Sequence, residues 1–189
     1  MVNLINDNRL VGSSLFFSSK GVIGTIVKLA GFFDFKRGFK MEKWSHVGTI
    51  VMQENGRLGV LEALNPVVVI NDLEKRVKSC KDKMVLCRLD NKSYCKLTAN
   101  MDVFNSNVLQ SVGKKYNTFG AIASGIDIFP DNSWLSKQFS KFKKTMHCSY
   151  LDSLLKQNCE IIPEEQNISE VTPSDVYMCD IFDEKYDLN

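Results

Sequence analysis

Histidine is scarce in this chain, which has only His46 and His147, and none of its six cysteines forms a CxxC pair. A zinc site needs clustered thiolates and imidazoles, so none is expected, and no residue pattern implies any other metal or cofactor. A long apolar run is also missing. Gly21 to Phe33 is the most apolar stretch, but it has 13 residues and contains Lys28, too short to span a bilayer. Met1 to Arg9 has no basic region followed by an apolar core, so no signal peptide is expected. The expectation is a cytoplasmic, reducing setting with free thiols. Phage-borne delivery or release by lysis would be routes outward. There is no strong net charge either. The sum is +2, which gives no reason to propose nucleic acid as a partner. No internal repeat and no linker composition appear, so a single domain over 1–189 is expected.

Charge is uneven along the chain. Lys20 to Lys43 carries six basic and two acidic residues, whereas Glu160 to Asn189 carries nine acidic residues and one lysine. Both stretches read as solvated faces. Within the first, Val22, Ile23, Ile26, Val27, Ala30 and Phe33 recur at helical spacing. This predicts a helix packed on a sheet. Its thin polar face also allows contact with a lipid or membrane surface through 21–33.

The stretch with most chemical content is Thr145-Met-His-Cys-Ser-Tyr-Leu-Asp-Ser-Leu-Leu155. Leu151, Leu154 and Leu155 form an apolar helical stripe. Thr145 as N-cap would make Cys148 the third helical residue. A thiol in a first turn feels unpaired backbone N–H groups and the positive end of the helix dipole, which favour the thiolate. The competing reading is a small buried core residue.

Strands are expected at Ser14 to Phe17, Trp44 to Met52, Leu58 to Leu64 and Met84 to Arg88, and Val67 to Ile70 is a short apolar run after the break at Asn65-Pro66. Helical stretches are expected at Asp72 to Ser79 and Leu97 to Gly113. Lys114 to Pro130 reads as a loop with a short helix, and Trp134 to Lys144 as a surface connector. Val171 to Tyr177 suggests a turn or one helical turn, followed by a last strand near 178–182.

Asn55-Gly56 allows two hairpins. A two-residue turn puts Thr49 opposite Glu62, with His46 on the other face. A three-residue loop, with Gly56 left-handed, pairs Gln53 with Arg57 and puts Gly48 opposite Glu62. His46 and Glu62 then share a face as diagonal neighbours. Glu62 is conspicuous between Leu61 and Ala63, since a carboxylate in an apolar strand needs a partner. His46 would supply one. His147 adjoins Cys148 but points about 100° away on a helix, so it is expected on the surface of the first turn.

Trp44-Ser-His-Val-Gly, Leu61-Glu-Ala and His147-Cys-Ser-Tyr-Leu, in that order, resemble the circularly permuted NlpC-type cysteine peptidases. These are the YiiX-like branch of the papain-like fold, with the lecithin–retinol acyltransferase group a more distant relative. Ser14-Leu-Phe-Phe, Gly113-Lys-Lys-Tyr116 and Thr172-Pro-Ser-Asp175 add to the resemblance. Ser149 matches, whereas Tyr150 stands where the ordinary NlpC motif has Gly. The resemblance implies an α+β fold whose antiparallel sheet packs on the nucleophile-bearing helix. It implies Cys148 as nucleophile, His46 as base and Glu62 as the orienting residue, with Tyr116, Trp44 and Ser45 at the substrate site. The Cys148 backbone N–H is a natural oxyanion donor. The implied activity is hydrolysis of an amide or ester in a peptide or acyl-amide substrate, without a cofactor. A catalytically idle binding module and an acyltransferase with the same triad remain the alternatives. Oligomeric state is not legible.

Overall fold

A computed structural model describes residues 7–19, 43–116 and 147–188. Among these the fold is mixed α+β, with a six-stranded antiparallel sheet and five α-helices. The strands are β1 (Ser14–Ser18), β2 (His46–Met52), β3 (Leu58–Ala63), β4 (Val68–Asp72), β5 (Lys83–Leu89) and β6 (Phe182–Asp187). The helices are α1 (Leu73–Ser79), α2 (Asn91–Ala99), α3 (Met101–Ser111), α4 (Cys148–Asn158) and α5 (Pro173–Met178). The strand order is β4-β3-β2-β1-β5-β6. The central strands β1, β2, β3 and β5 are buried on both faces, whereas the edge strand β6 alternates. This is the pattern expected of a sheet covered on both sides at its centre.

The β2–β3 connection is the three-residue one. Gln53 N–H donates to Arg57 O at 2.9 Å, Gly56 N–H donates to Gln53 O at 2.9 Å, and Gly56 has φ +75°. Only a residue without a Cβ adopts that conformation cheaply. The register Thr49↔Leu61 follows, and it sets Gly48 opposite Glu62.

Two element expectations change. The helix predicted over 97–113 is two helices, α2 and α3, broken at Asn100 (φ −114°, ψ 27°). The Asn100 side chain donates to Lys96 O at 3.0 Å, the kind of local bond with which asparagine competes against a continuous helix. The first of the two starts earlier than predicted because Asp90 caps it, accepting from Ser93 N–H. The last strand lies at Phe182–Asp187 rather than near 178–182. Its start is displaced because Thr172 and Asp175 form a capping box and α5 then runs to Met178.

Among the described residues, no helix is long and apolar enough to cross a membrane. The predicted 21–33 helix, the 134–144 connector and most of the 114–130 loop lie outside them.

Candidate active site

The structure brings His46, Glu62 and Cys148 together. His46 opens β2, and its Nε2 lies 3.0 Å from Glu62 Oε1. Side chains alternate along a strand, so His46 and Gly48 share a face with Glu62. Thr49 points to the other face, where it bonds Asp152 of α4. His46 reaches Cys148 because it sits at the end of the sheet, where α4 also begins. With Nε2 taken by Glu62, Nδ1 is the ring atom left to face the sulfur.

Glu62 is fully buried and held from three directions. Arg76 of α1 donates Nε to Oε2 at 2.9 Å and Nη2 to Oε1 at 3.1 Å, and Asn71 Nδ2 donates to Oε2 at 2.9 Å. Burial opposes the carboxylate charge, but the bonds from His46 and then Arg76 outweigh it, and the pKa falls to about 2. Arg76 and Phe17 also form a stack behind the imidazole. The guanidinium carbon is 4.4 Å from the Phe17 ring centre, which is 5.3 Å from that of His46.

Burial likewise opposes an imidazolium at His46. The hydrogen bond to Cys148 and the charge on its sulfur, followed by Glu62, raise the pKa to about 10. Burial raises the Cys148 thiol, but hydrogen bonding and charge from His46, with the Val47 and Ser149 backbone N–H groups, bring it below the ordinary thiol value. Both shifts run in the direction that favours a thiolate–imidazolium pair. Cys87 and Cys159, buried without such partners, are pushed up to about 12 and about 11.

The helix start differs from expectation. His147, not Thr145, is the N-cap, so Cys148 is the first helical residue rather than the third. His147 is completely buried rather than a surface residue. Its Nδ1 lone pair accepts from Tyr150 N–H at 3.3 Å, and burial lowers its pKa to about 4, which preserves that lone pair. An unprotonated imidazole thus does what a threonine hydroxyl would have done. Thr145 lies outside the described residues.

Tyr116 lies near enough to Cys148 to feel its charge. Burial first, and then the Cys148 charge, push its phenol pKa up, so the hydroxyl stays protonated. Its backbone N–H donates to Pro66 O at 2.9 Å. Trp44 and Ser45 are instead used in internal contacts. Trp44 is fully enclosed, with its ring 5.9 Å from Phe16 and 5.1 Å from Tyr177. Ser45 Oγ accepts from Ser19 N–H at 2.8 Å and donates to Phe17 O at 3.2 Å, tying β2 to the end of β1.

Sequence reasoning missed Arg76 and Asn71, whose approach to Glu62 depends on how β4 and α1 fold back. It also missed Asp152 and Lys156, which are both buried on α4. Their signal was present: two opposite charges four residues apart in a leucine-rich helix, on the face that carries Cys148.

Among the described residues, no group of three or more His, Cys, Asp or Glu is placed to hold a metal. All six cysteines are free. A groove lined by Met52, Ile70, Val108 and Leu109 contains none of the three clustered residues. In comparisons with known proteins, no family model matches the chain and no curated protein is similar to it.

Proposed function

We propose that this protein is a cysteine hydrolase of the permuted NlpC type, cleaving an amide or ester bond in a peptide or acyl-amide substrate. The observation that carries the proposal is the position of His46 between a helix-starting thiol and a buried carboxylate that Arg76 and Asn71 also bond. Cys148 is the nucleophile and His46 the acid and base. Glu62 orients the ring and stabilises its charge.

The Cys148 thiolate attacks the carbonyl carbon, and the carbonyl oxygen takes up the electron pair. The Cys148 backbone N–H, which has no intrahelical partner at the first helical position, donates to that oxyanion. Collapse expels the amine or alcohol, which takes its proton from the His46 imidazolium and leaves a thioester on Cys148. Neutral His46 then removes a proton from water as the water oxygen attacks the thioester. Collapse releases the acid and restores the thiolate and imidazolium. Tyr116, protonated and within reach of the Cys148 charge, would offer substrate a further hydrogen bond. None of these steps requires a cofactor.

Intact-mass spectrometry with a panel of peptide amides, acyl amides and activated esters tests the assignment. The expected result is a transient acyl adduct on Cys148 that water discharges, with no turnover by Cys148→Ala. Discharge to an added amine instead of water would make the protein an acyltransferase. Full activity in Cys148→Ala would overturn the assignment. A Cys148 that alkylates no faster than Cys80 would indicate an idle binding module.

A further inference from the structure

A second polar cluster lies one helical turn beyond Cys148. Asp152 and Lys156 follow it at successive four-residue steps, so all three share a face of α4. Each of the two is only 1% exposed. Asp152 Oδ1 accepts from Thr49 Oγ at 2.7 Å, from Ser14 Oγ at 2.9 Å and from Lys156 Nζ at 2.6 Å, and Lys156 Nζ also donates to Ser14 Oγ at 2.8 Å. Ser14 and Thr49 are direct cross-strand partners on β1 and β2, and both are fully buried. One carboxylate therefore grips a matched pair of residues in the two central strands. Asp152 Oδ2 has no hydrogen-bond partner among the described residues, so Oδ1 carries the whole grip.

This arrangement is costly if its purpose is stability alone. A buried ion pair is commonly no better than apolar residues of the same volume, and its best-attested use is to fix register. Apolar contacts, such as those of Leu151 and Leu155 in the core, tolerate sliding and repacking, whereas hydrogen bonds are directional. Thr49 is three residues from His46, and Asp152 is four residues from Cys148. The hydrogen bond between them connects the two elements that carry the reactive pair.

We propose that Asp152 is a positioning residue: with Thr49 and Ser14 it sets the height and rotation of α4 on the sheet and so holds the Cys148 sulfur against the His46 ring. The proposal rests on the Cys148–His46 pairing of the proposed function, but not on hydrolysis itself. Loss of one hydroxyl should loosen the pairing without unfolding the chain, because Asp152 keeps Lys156 and the other hydroxyl.

NMR of the full chain with labelled histidine reads the pairing directly, since His147 is the only other histidine. In the wild type, the His46 ring should stay protonated up to about pH 10. In Thr49→Val that midpoint should fall by about one unit or more, and Cys148 alkylation at neutral pH should slow about tenfold. The thermal midpoint should change by only about a few degrees. Thr49→Ser, which keeps the hydroxyl, should restore both readouts. If Thr49→Val does not fold, Ser14→Ala removes the other hydroxyl and is read in the same way. An unchanged His46 midpoint and alkylation rate in the folded variant would overturn the positioning role, even if thermal stability fell. A wild type with a high His46 midpoint but no turnover of any amide or ester would overturn the hydrolase and leave the positioning role standing. An ordinary His46 midpoint in the wild type would overturn both.

Discussion

His46 Nε2 and Glu62 Oε1 lie 3.0 Å apart because a three-residue turn puts Gly48 opposite Glu62. Had the turn held two residues, the same side chains would have faced opposite sides of the sheet. The space for the carboxylate comes from Gly48. A Cβ at that position would stand 2.6 Å from Val60 Cγ2 and 2.9 Å from Glu62 Cγ. Gly48→Ala is therefore expected to destabilise the fold by about 1–3 kcal/mol and to displace Glu62. Denaturant unfolding measures the first effect. A slower Cys148 alkylation rate in the folded fraction measures the second.

Thiol reactivity should separate sharply with pH. Cys148 is lowered and Cys87 and Cys159 are raised to about 12 and about 11. Iodoacetamide at pH 6–7, read by peptide mass spectrometry, should label Cys148 well ahead of those two. His46→Ala removes the cation that stabilises the thiolate, so the preference should vanish. On the alkaline side, kcat/KM should fall with a midpoint of about 10 as His46 loses the proton that the leaving group needs.

Glu62→Gln should cost on the order of 3 kcal/mol at neutral pH, because it leaves the Arg76 guanidinium without its counter-charge. The pH dependence has a definite sign. The folded-state pKa of Glu62 is about 2 against an ordinary 4.5, so its contribution is complete above 4.5 and lost as pH falls toward 2. Unfolding curves of wild type and Glu62→Gln should therefore converge over that window. Turnover should drop less than in Cys148→Ala, since an amide can still hold the ring.

His147 makes an opposite kind of acid lability. It is held neutral, with a pKa near 4 instead of 6.5, so its share of stability is present above 6.5 and lost as pH falls toward 4. His147→Asn keeps a capping acceptor without the titration, and its stability should be flatter across that range. His147→Ala should lose about 1 kcal/mol at neutral pH. Thermal melts at several pH values distinguish the three proteins.

What the sequence by itself determined is what depends on neighbours along the chain. Alternation and 3.6-residue periodicity marked the strands from Ser14 to Arg88 and the helix after Cys148, and Asn55-Gly56 marked a turn. Glu62 announced itself as a charge between apolar residues, and His46 as its available partner. Choosing between the two hairpin registers was beyond local information, because Asn-Gly suits both turns and differs only in which face the next side chains take. The helix start was misplaced, since Thr145 is the conventional capping residue and nothing local marked the buried His147 imidazole as the acceptor that takes that role. Arg76 reaches Glu62 only because α1 folds back over the sheet, and Asp152 meets Thr49 only because α4 crosses it. Those contacts join residues far apart in the chain. No periodicity encodes them, and they depend on the packing of whole elements against one another.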